Sequence, residues 1–299
     1  MRIPRSILSV PGSNPAMIAK GMASSADEIF LDLEDSVTPE RKAEARATVV
    51  GALQDEAWGS KRRVVRINAL DTPWSYRDLI ELIEQTGDAL DAVILPKVHE
   101  ASDVLATARL LDQVELAVGR RRPVRLGVQI ESAKGLAHCE SIAAASTRLE
   151  SLIFGPGDFA SSAGIPAEGI GVLDRWDVGY AGHRWHYPLS RILIAARANG
   201  LWAIDGPYAD FRDPAGLERS AFMSRSLGYD GKWCIHPGQI DGVNLAFTPT
   251  ASEIERARAV LEATERAAAA GRGAVDLDGQ MLDAASVAMA RSVLERAGD

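Results

Sequence analysis

A chain of 299 residues is long for one ordinary domain but normal for an α/β barrel carrying a small appendage. Its 46% hydrophobic and 25% charged residues fit a globular protein and exclude a disordered one, and no apolar run approaches the ~20 residues of a membrane span. The net charge of −8, from 33 basic and 41 acidic residues, excludes broad nucleic-acid binding, which runs on phosphate neutralisation by Lys and Arg; it leaves room for one polyanionic cofactor.

In chain order, short apolar runs bounded by turn residues predict eight strands. They are Ser6–Pro11, Glu28–Leu33, Arg63–Asn68, Ala92–Pro96, Arg125–Ile130, Ser151–Phe154, Trp202–Ile204 and Lys232–Ile235. The runs are continuous and β-branched, as for strands buried on both faces of a parallel sheet. Amphipathic helices are expected between them, among them Pro39–Gly51, Trp74–Thr86 and Ala101–Val118, with Thr38 as N-cap and Pro39 at the first helical position. Eight strands alternating with helices predict an α/β fold of the (β/α)₈ TIM-barrel type over residues 1–249. Gly164–Pro188 reads as a long loop on the catalytic face. Residues 250–299 read as a small C-terminal helical lid: a capping box at Thr250–Glu253, a helix running to an alanine-rich end near Ala270, a turn-rich stretch Gly271–Gly279, and a last helix after Asp283.

Cys139 and Cys234 sit in apolar stretches without zinc spacing and are expected to be reduced core residues. The first nine residues carry two arginines but no long apolar core, so no signal peptide is expected and the reading is cytoplasmic.

The active site of such a barrel lies at the C-terminal ends of its strands. Nearly every predicted strand ends on an ionisable group: Glu34 and Asp35, Arg66, Lys97, Glu131, Asp158, Asp205 and His236. Several carboxylates on one rim repel unless a cation intervenes. Glu131 and Asp158 end consecutive strands, and no histidine accompanies them. An all-oxygen pair suits Mg²⁺, with Mn²⁺ as a fitting substitute. Glu34 and Asp35 could then hold metal-bound waters. Arg66 points into the acidic rim as a stabiliser of a developing oxyanion. Gly155 and Gly157, flanking Asp158, leave backbone N–H groups for a substrate carboxylate.

The strings LDLEDSV (Leu31–Val37), VRIN (Val65–Asn68), LPK (Leu95–Lys97), IES (Ile130–Ser132), GPGDFA (Gly155–Ala160), DGP (Asp205–Pro207) and GKWCIHP (Gly231–Pro237) resemble the citrate lyase beta-subunit-like CoA ester lyases of the aldolase/citrate lyase superfamily. With the WHY motif at Trp185–Tyr187 and DGPYADF at Asp205–Phe211, they look most like malyl-CoA/β-methylmalyl-CoA lyases. The resemblance implies reversible Claisen-type cleavage of a 3-hydroxy-3-carboxyacyl-CoA to glyoxylate and acetyl-CoA or propionyl-CoA, with CoA as part of the substrate. It implies Mg²⁺ on Glu131 and Asp158, Arg66 on the enolate, and the Gly157 and Asp158 backbone on the glyoxylate carboxylate. It places Lys20, Ile235 and His236 against the CoA ester. It makes Asp283 an acid on a lid that reaches a neighbouring subunit, hence a homotrimer or homohexamer. The related lyases often carry an aromatic residue at Ser9 and a basic one at Asn14 or Ala16, near the CoA nucleotide; this chain does not. A malyl-CoA thioesterase, a citramalyl- or citryl-CoA lyase, an aldolase on free pyruvate and a non-catalytic assembly subunit are the alternatives on the same scaffold.

Overall fold

The computed structural model describes residues 3–178, 183–269, 271 and 275–298. Strands β1 (Ser6–Pro11), β2 (Glu28–Asp32), β3 (Arg63–Arg66), β4 (Ala92–Leu95), β5 (Arg125–Ile130), β6 (Leu149–Phe154), β7 (Trp202–Asp205) and β8 (Gly231–Cys234) pair in parallel in chain order, and β8 closes onto β1. This is the predicted eight-stranded barrel, with helices between its strands. The chain divides into two compact units, Pro4–Ala246 and one built on Phe247–Asp299. Among the described residues no helix is long and apolar enough to cross a membrane.

The barrel interior is filled by strand side chains in layers, as period-two alternation dictates. Ile7, Phe30, Val64, Ile94, Ile153, Ile204 and Trp233 form its apolar middle. β5 contributes Gly127 instead, because a β-carbon there would fall 2.9 Å from Ser151 Oγ; the β5–β6 register shifts beside it, between Leu126 and Gly127. The space left inside is about 10 Å³, room for roughly one water. At the N-terminal end of the strands, Arg62 is a plug. It bridges Glu28 at 2.8 Å and Glu150 at 2.5 Å and lies over the Trp202 ring.

Several local expectations change. Pro39–Arg41 is a 3-10 turn and the α-helix starts at Lys42, running to Leu53; Thr38 makes no side-chain cap bond. Lys42 instead turns inward and donates to the carbonyls of Leu33 and Glu34, both at 2.8 Å. The long segment Gly164–Pro188 is not all loop: it holds a short helix Arg175–Val178, and the helix His186–Ala198 begins inside it. Residues 179–182 of that segment lie outside the described residues.

In the second unit, Thr250 and Glu253 cap each other as expected, with Thr250 N–H donating to Glu253 at 2.6 Å and Glu253 N–H to Thr250 Oγ1 at 3.2 Å. The helix Ala251–Ala269 packs Ala257, Val260 and Ala263 against Leu282 and Ala290, the latter from the helix Ala284–Ala297. Part of the turn-rich stretch is an antiparallel hairpin, β9 (Val275–Leu277) with β10 (Gln280–Leu282). Asp278 and Gly279 at its tip both take positive φ. Ala270 and residues 272–274 lie outside the described residues.

Candidate active site

The C-terminal end of the barrel stacks charged layers directly on the aromatic one. Phe30 and Trp233 meet with ring centroids 4.5 Å apart, and the Arg66 guanidinium lies over both rings. Arg66 ends β3 and points inward, two residues from Val64. It grips Asp32 of β2 with Nε and Nη2, both at 2.7 Å, a bidentate pair whose planar fork matches the carboxylate. Its Nη1 reaches Glu34 at 2.9 Å and Gln129 at 3.4 Å. Burial works to raise the Asp32 carboxyl, but Arg66 outweighs it and holds the group below its ordinary value. Burial opposes the Arg66 charge, yet Asp32, Glu34 and Glu131 together keep its pKa raised.

Glu34 lies just beyond β2, buried between Arg66 and Lys97 Nζ, the latter 2.7 Å from Oε1. Burial raises its pKa despite both cations. Asp35 faces out and sits 3.4 Å from the same ammonium.

Glu131 follows β5 and is buried. Lys97 N–H donates to its Oε1 at 2.6 Å and Gln129 Nε2 to its Oε2 at 2.9 Å. Each carboxylate oxygen thus has one donor and keeps lone-pair capacity for another ligand. Burial pushes this carboxyl up to about 8, with Glu34 and Asp158 adding to the shift against Arg66. A cation beside it would reverse that balance. The close approach of Glu131 to β6 depends on Gly155, where a β-carbon would fall 2.5 Å from Glu131 Cβ and nearer still to Oε2.

Gly155 precedes the helix Pro156–Ala163 and Asp158 lies in its first turn. Gly155 N–H is bonded to Ile130 O at 3.2 Å, so it is not available to a substrate. Gly157 and Asp158 sit in the first turn, where a helix leaves N–H groups without intrahelical partners. The Ile170 side chain covers Gly157, 3.2 Å from where its β-carbon would stand. Among the described residues no three His, Cys, Asp or Glu side chains converge into a cation cage. Asp158 lies near enough to Glu131 for its charge to raise that carboxyl, and two carboxylates of this kind would fit a hard ion that keeps its waters.

The remaining predicted site residues are dispersed. Lys20 is exposed in the last turn of the helix Pro15–Met22. Asn14 caps that helix, its side chain accepting from Met17 N–H at 3.1 Å. Ile235 is exposed, and the His236 ring stacks on Phe211 at 4.7 Å and 18°. The N–H groups of Ile235 and His236 both donate to the buried Gln239 side chain. Asp283 belongs to the second unit and caps the last helix, accepting from Ser286 N–H at 2.9 Å and Ser286 Oγ at 3.0 Å. Those bonds hold its carboxyl below the ordinary value. The sequence reading assigned no role to Asp32, Gln129 or Lys42. Asp32 and Gln129 were legible by parity alone, since each lies two positions from an inward or rim residue on its own strand: Phe30 and Glu131.

The family model HpcH/HpaI aldolase/citrate lyase matches residues 5–237, and the chain belongs to that family. It is 44% identical over 293 residues to an L-malyl-CoA/beta-methylmalyl-CoA lyase of Cereibacter sphaeroides, covering 96% of this chain and 92% of that protein. It is 38% identical over 298 residues to the citrate lyase subunit beta of Escherichia coli, covering 99% and 94%. Among solved structures it resembles the CitE protein of Mycobacterium tuberculosis in complex with magnesium, acetoacetate and coenzyme A, with a TM-score of 0.79, 31% identity and coverage of 99% and 98%.

Proposed function

We propose that this chain is a Mg²⁺-dependent carbon–carbon lyase of CoA esters that cleaves a malyl-CoA-type substrate reversibly to glyoxylate and acetyl-CoA or propionyl-CoA. The observation that carries the reading is Glu131: a buried carboxylate with one donor on each oxygen, beside Asp158, in a chain 44% identical to a malyl-CoA/β-methylmalyl-CoA lyase. Glu131 and Asp158 would hold the ion, with water filling its other positions. When bound, the ion supplies Lewis acidity toward the oxygens of the 2-oxo acid.

The chain's own residues do the rest. Arg66, fixed by Asp32 and seated on Phe30 and Trp233, sets a permanent positive charge under the reacting carbons, where a thioester enolate gains its negative charge. Glu34 and Asp35 would orient water at the ion. The free N–H groups of Gly157 and Asp158 suit the glyoxylate carboxylate. Lys20 and the Ile235–His236 segment would meet the CoA ester. Asp283, from a neighbouring subunit of a trimer or hexamer, would handle the proton on the enolate carbon.

The test is condensation of acetyl-CoA with glyoxylate with and without Mg²⁺, in wild type, Glu131→Gln and Asp158→Asn. Metal binding and activity should be lost together in both variants. Full activity in EDTA would overturn the reading.

A further inference from the structure

Lys97 is one of two non-glycine residues with positive φ among the described residues; the other, Asp278, turns the hairpin tip. At φ 52° a lysine gains nothing that glycine or asparagine would not give more easily. Such a conformation persists only where its surroundings over-determine it. Here they do. Val98 O lies against Gly135, where a β-carbon would come within 2.5 Å. His99 Nδ1 pairs with Ser132 Oγ at 2.9 Å, and His99 O with His138 Nδ1 at 3.0 Å.

The strained backbone does two things at once. It aims the Lys97 N–H at Glu131 Oε1, and it returns the side chain over Glu34 and Asp35. Of the two rim cations described above, Lys97 is also the accessible one. Its side chain is 34% exposed, against 9% for Arg66. Every nitrogen of Arg66 already has a protein partner. The Lys97 ammonium has three donors, one close to Glu34; its contact with Asp35 is long, and that carboxylate is 59% exposed.

We propose that Lys97 is the cation that pairs with the substrate's carboxylate alongside the Gly157 and Asp158 N–H groups, exchanging its loose contact with Asp35 for it, while its backbone N–H fixes the orientation of Glu131. This rests on the lyase reading only in taking the substrate to carry a carboxylate.

The role has a signature that a merely structural lysine lacks. Removing the ammonium makes the rim more negative, so Mn²⁺ alone should bind Lys97→Met about three- to tenfold tighter by EPR titration. The same variant should bind glyoxylate in the presence of Mn²⁺ at least about 30-fold more weakly by calorimetry, and Lys97→Arg should recover part of that loss. Lys97→Gly, which suits the positive φ, should match Lys97→Met in both titrations and keeps the test open if the methionine variant fails to fold. Weaker Mn²⁺ binding, or unchanged glyoxylate affinity, in both charge-removed variants overturns the proposal. Glyoxylate binding that depends on Lys97 without any condensation activity in wild type would remove the lyase reading and leave the assignment of Lys97 standing.

Discussion

Gly155→Ala probes the geometry of Glu131, the proposed metal ligand, without changing that residue. The residue has φ −106° and ψ 89°, which alanine adopts without strain, so any effect comes from the added carbon. That carbon would stand 2.5 Å from Glu131 Cβ, about 1.5 Å inside ordinary carbon–carbon contact. Its neighbour is the root of a buried side chain, which cannot swing aside as a flexible tip would. Overpacking of this kind costs about 1–3 kcal/mol, offset by about 0.4–1 kcal/mol from the stiffer unfolded chain. The expected net loss is about 1–2 kcal/mol, a fall in Tm of roughly 2–6 °C. Glu131 must move to relieve the contact, so Mn²⁺ affinity by EPR titration should fall at least about tenfold. Gly51→Ala is the control: its β-carbon meets nothing within 4 Å in the helix Lys42–Leu53, and it should gain about 0.5–1 kcal/mol. Wild-type Mn²⁺ affinity and stability in Gly155→Ala would refute the claim that this glycine exists to admit Glu131.

Three further outcomes follow from the structure. Burial pushes Glu28, in the plug with Arg62, up to about 7 from an ordinary 4.5. The folded state then holds a proton that the unfolded chain releases, so this group's contribution falls as pH rises from 4.5 to 7 and is flat above. Glu28→Gln removes this titration, so its stability relative to wild type should rise from pH 5 to pH 8, by urea unfolding; a pH-independent difference would contradict it. Burial raises the Cys139 and Cys234 thiols to about 11 and about 12, so neither should react with a thiol reagent at pH 8 until the protein unfolds. Asp283→Asn keeps a good N-cap, so melting should be unchanged while condensation falls at least about 100-fold if the carboxyl handles a proton; an active variant leaves Asp283 as a helix cap alone.

The strands were legible because parallel barrel strands are apolar on both faces, and runs such as Ser6–Pro11 and Arg125–Ile130 have the predicted ends. The rim acids were legible because polarity returns where a strand stops. What escaped was polarity inside the strands. Asp32 sits in an otherwise apolar run and Gln129 between Val128 and Ile130, so their inward direction shows only once parity is fixed by the neighbouring layer. The Lys97 conformation is set by contacts with the short helix Ala133–Ala137 and its caps after β5, far along the chain, and no local pattern encodes it. The Asp278–Gly279 turn was different: Asp-Gly between two short runs of alternating polarity is a known hairpin signal, and the sequence carries it. The helix start at Pro39 was misplaced because Lys42 reaches back to Leu33 and Glu34, and the helices within Gly164–Pro188 were read as loop.

The central claim is carbon–carbon cleavage at the Glu131–Asp158 site. Its most direct measurement is the product balance from malyl-CoA with Mg²⁺, following free CoA, malate, glyoxylate and acetyl-CoA together. Equal amounts of glyoxylate and acetyl-CoA, lost in Glu131→Gln, are the predicted result. Free CoA and malate without glyoxylate would make the protein a thioesterase and contradict the account.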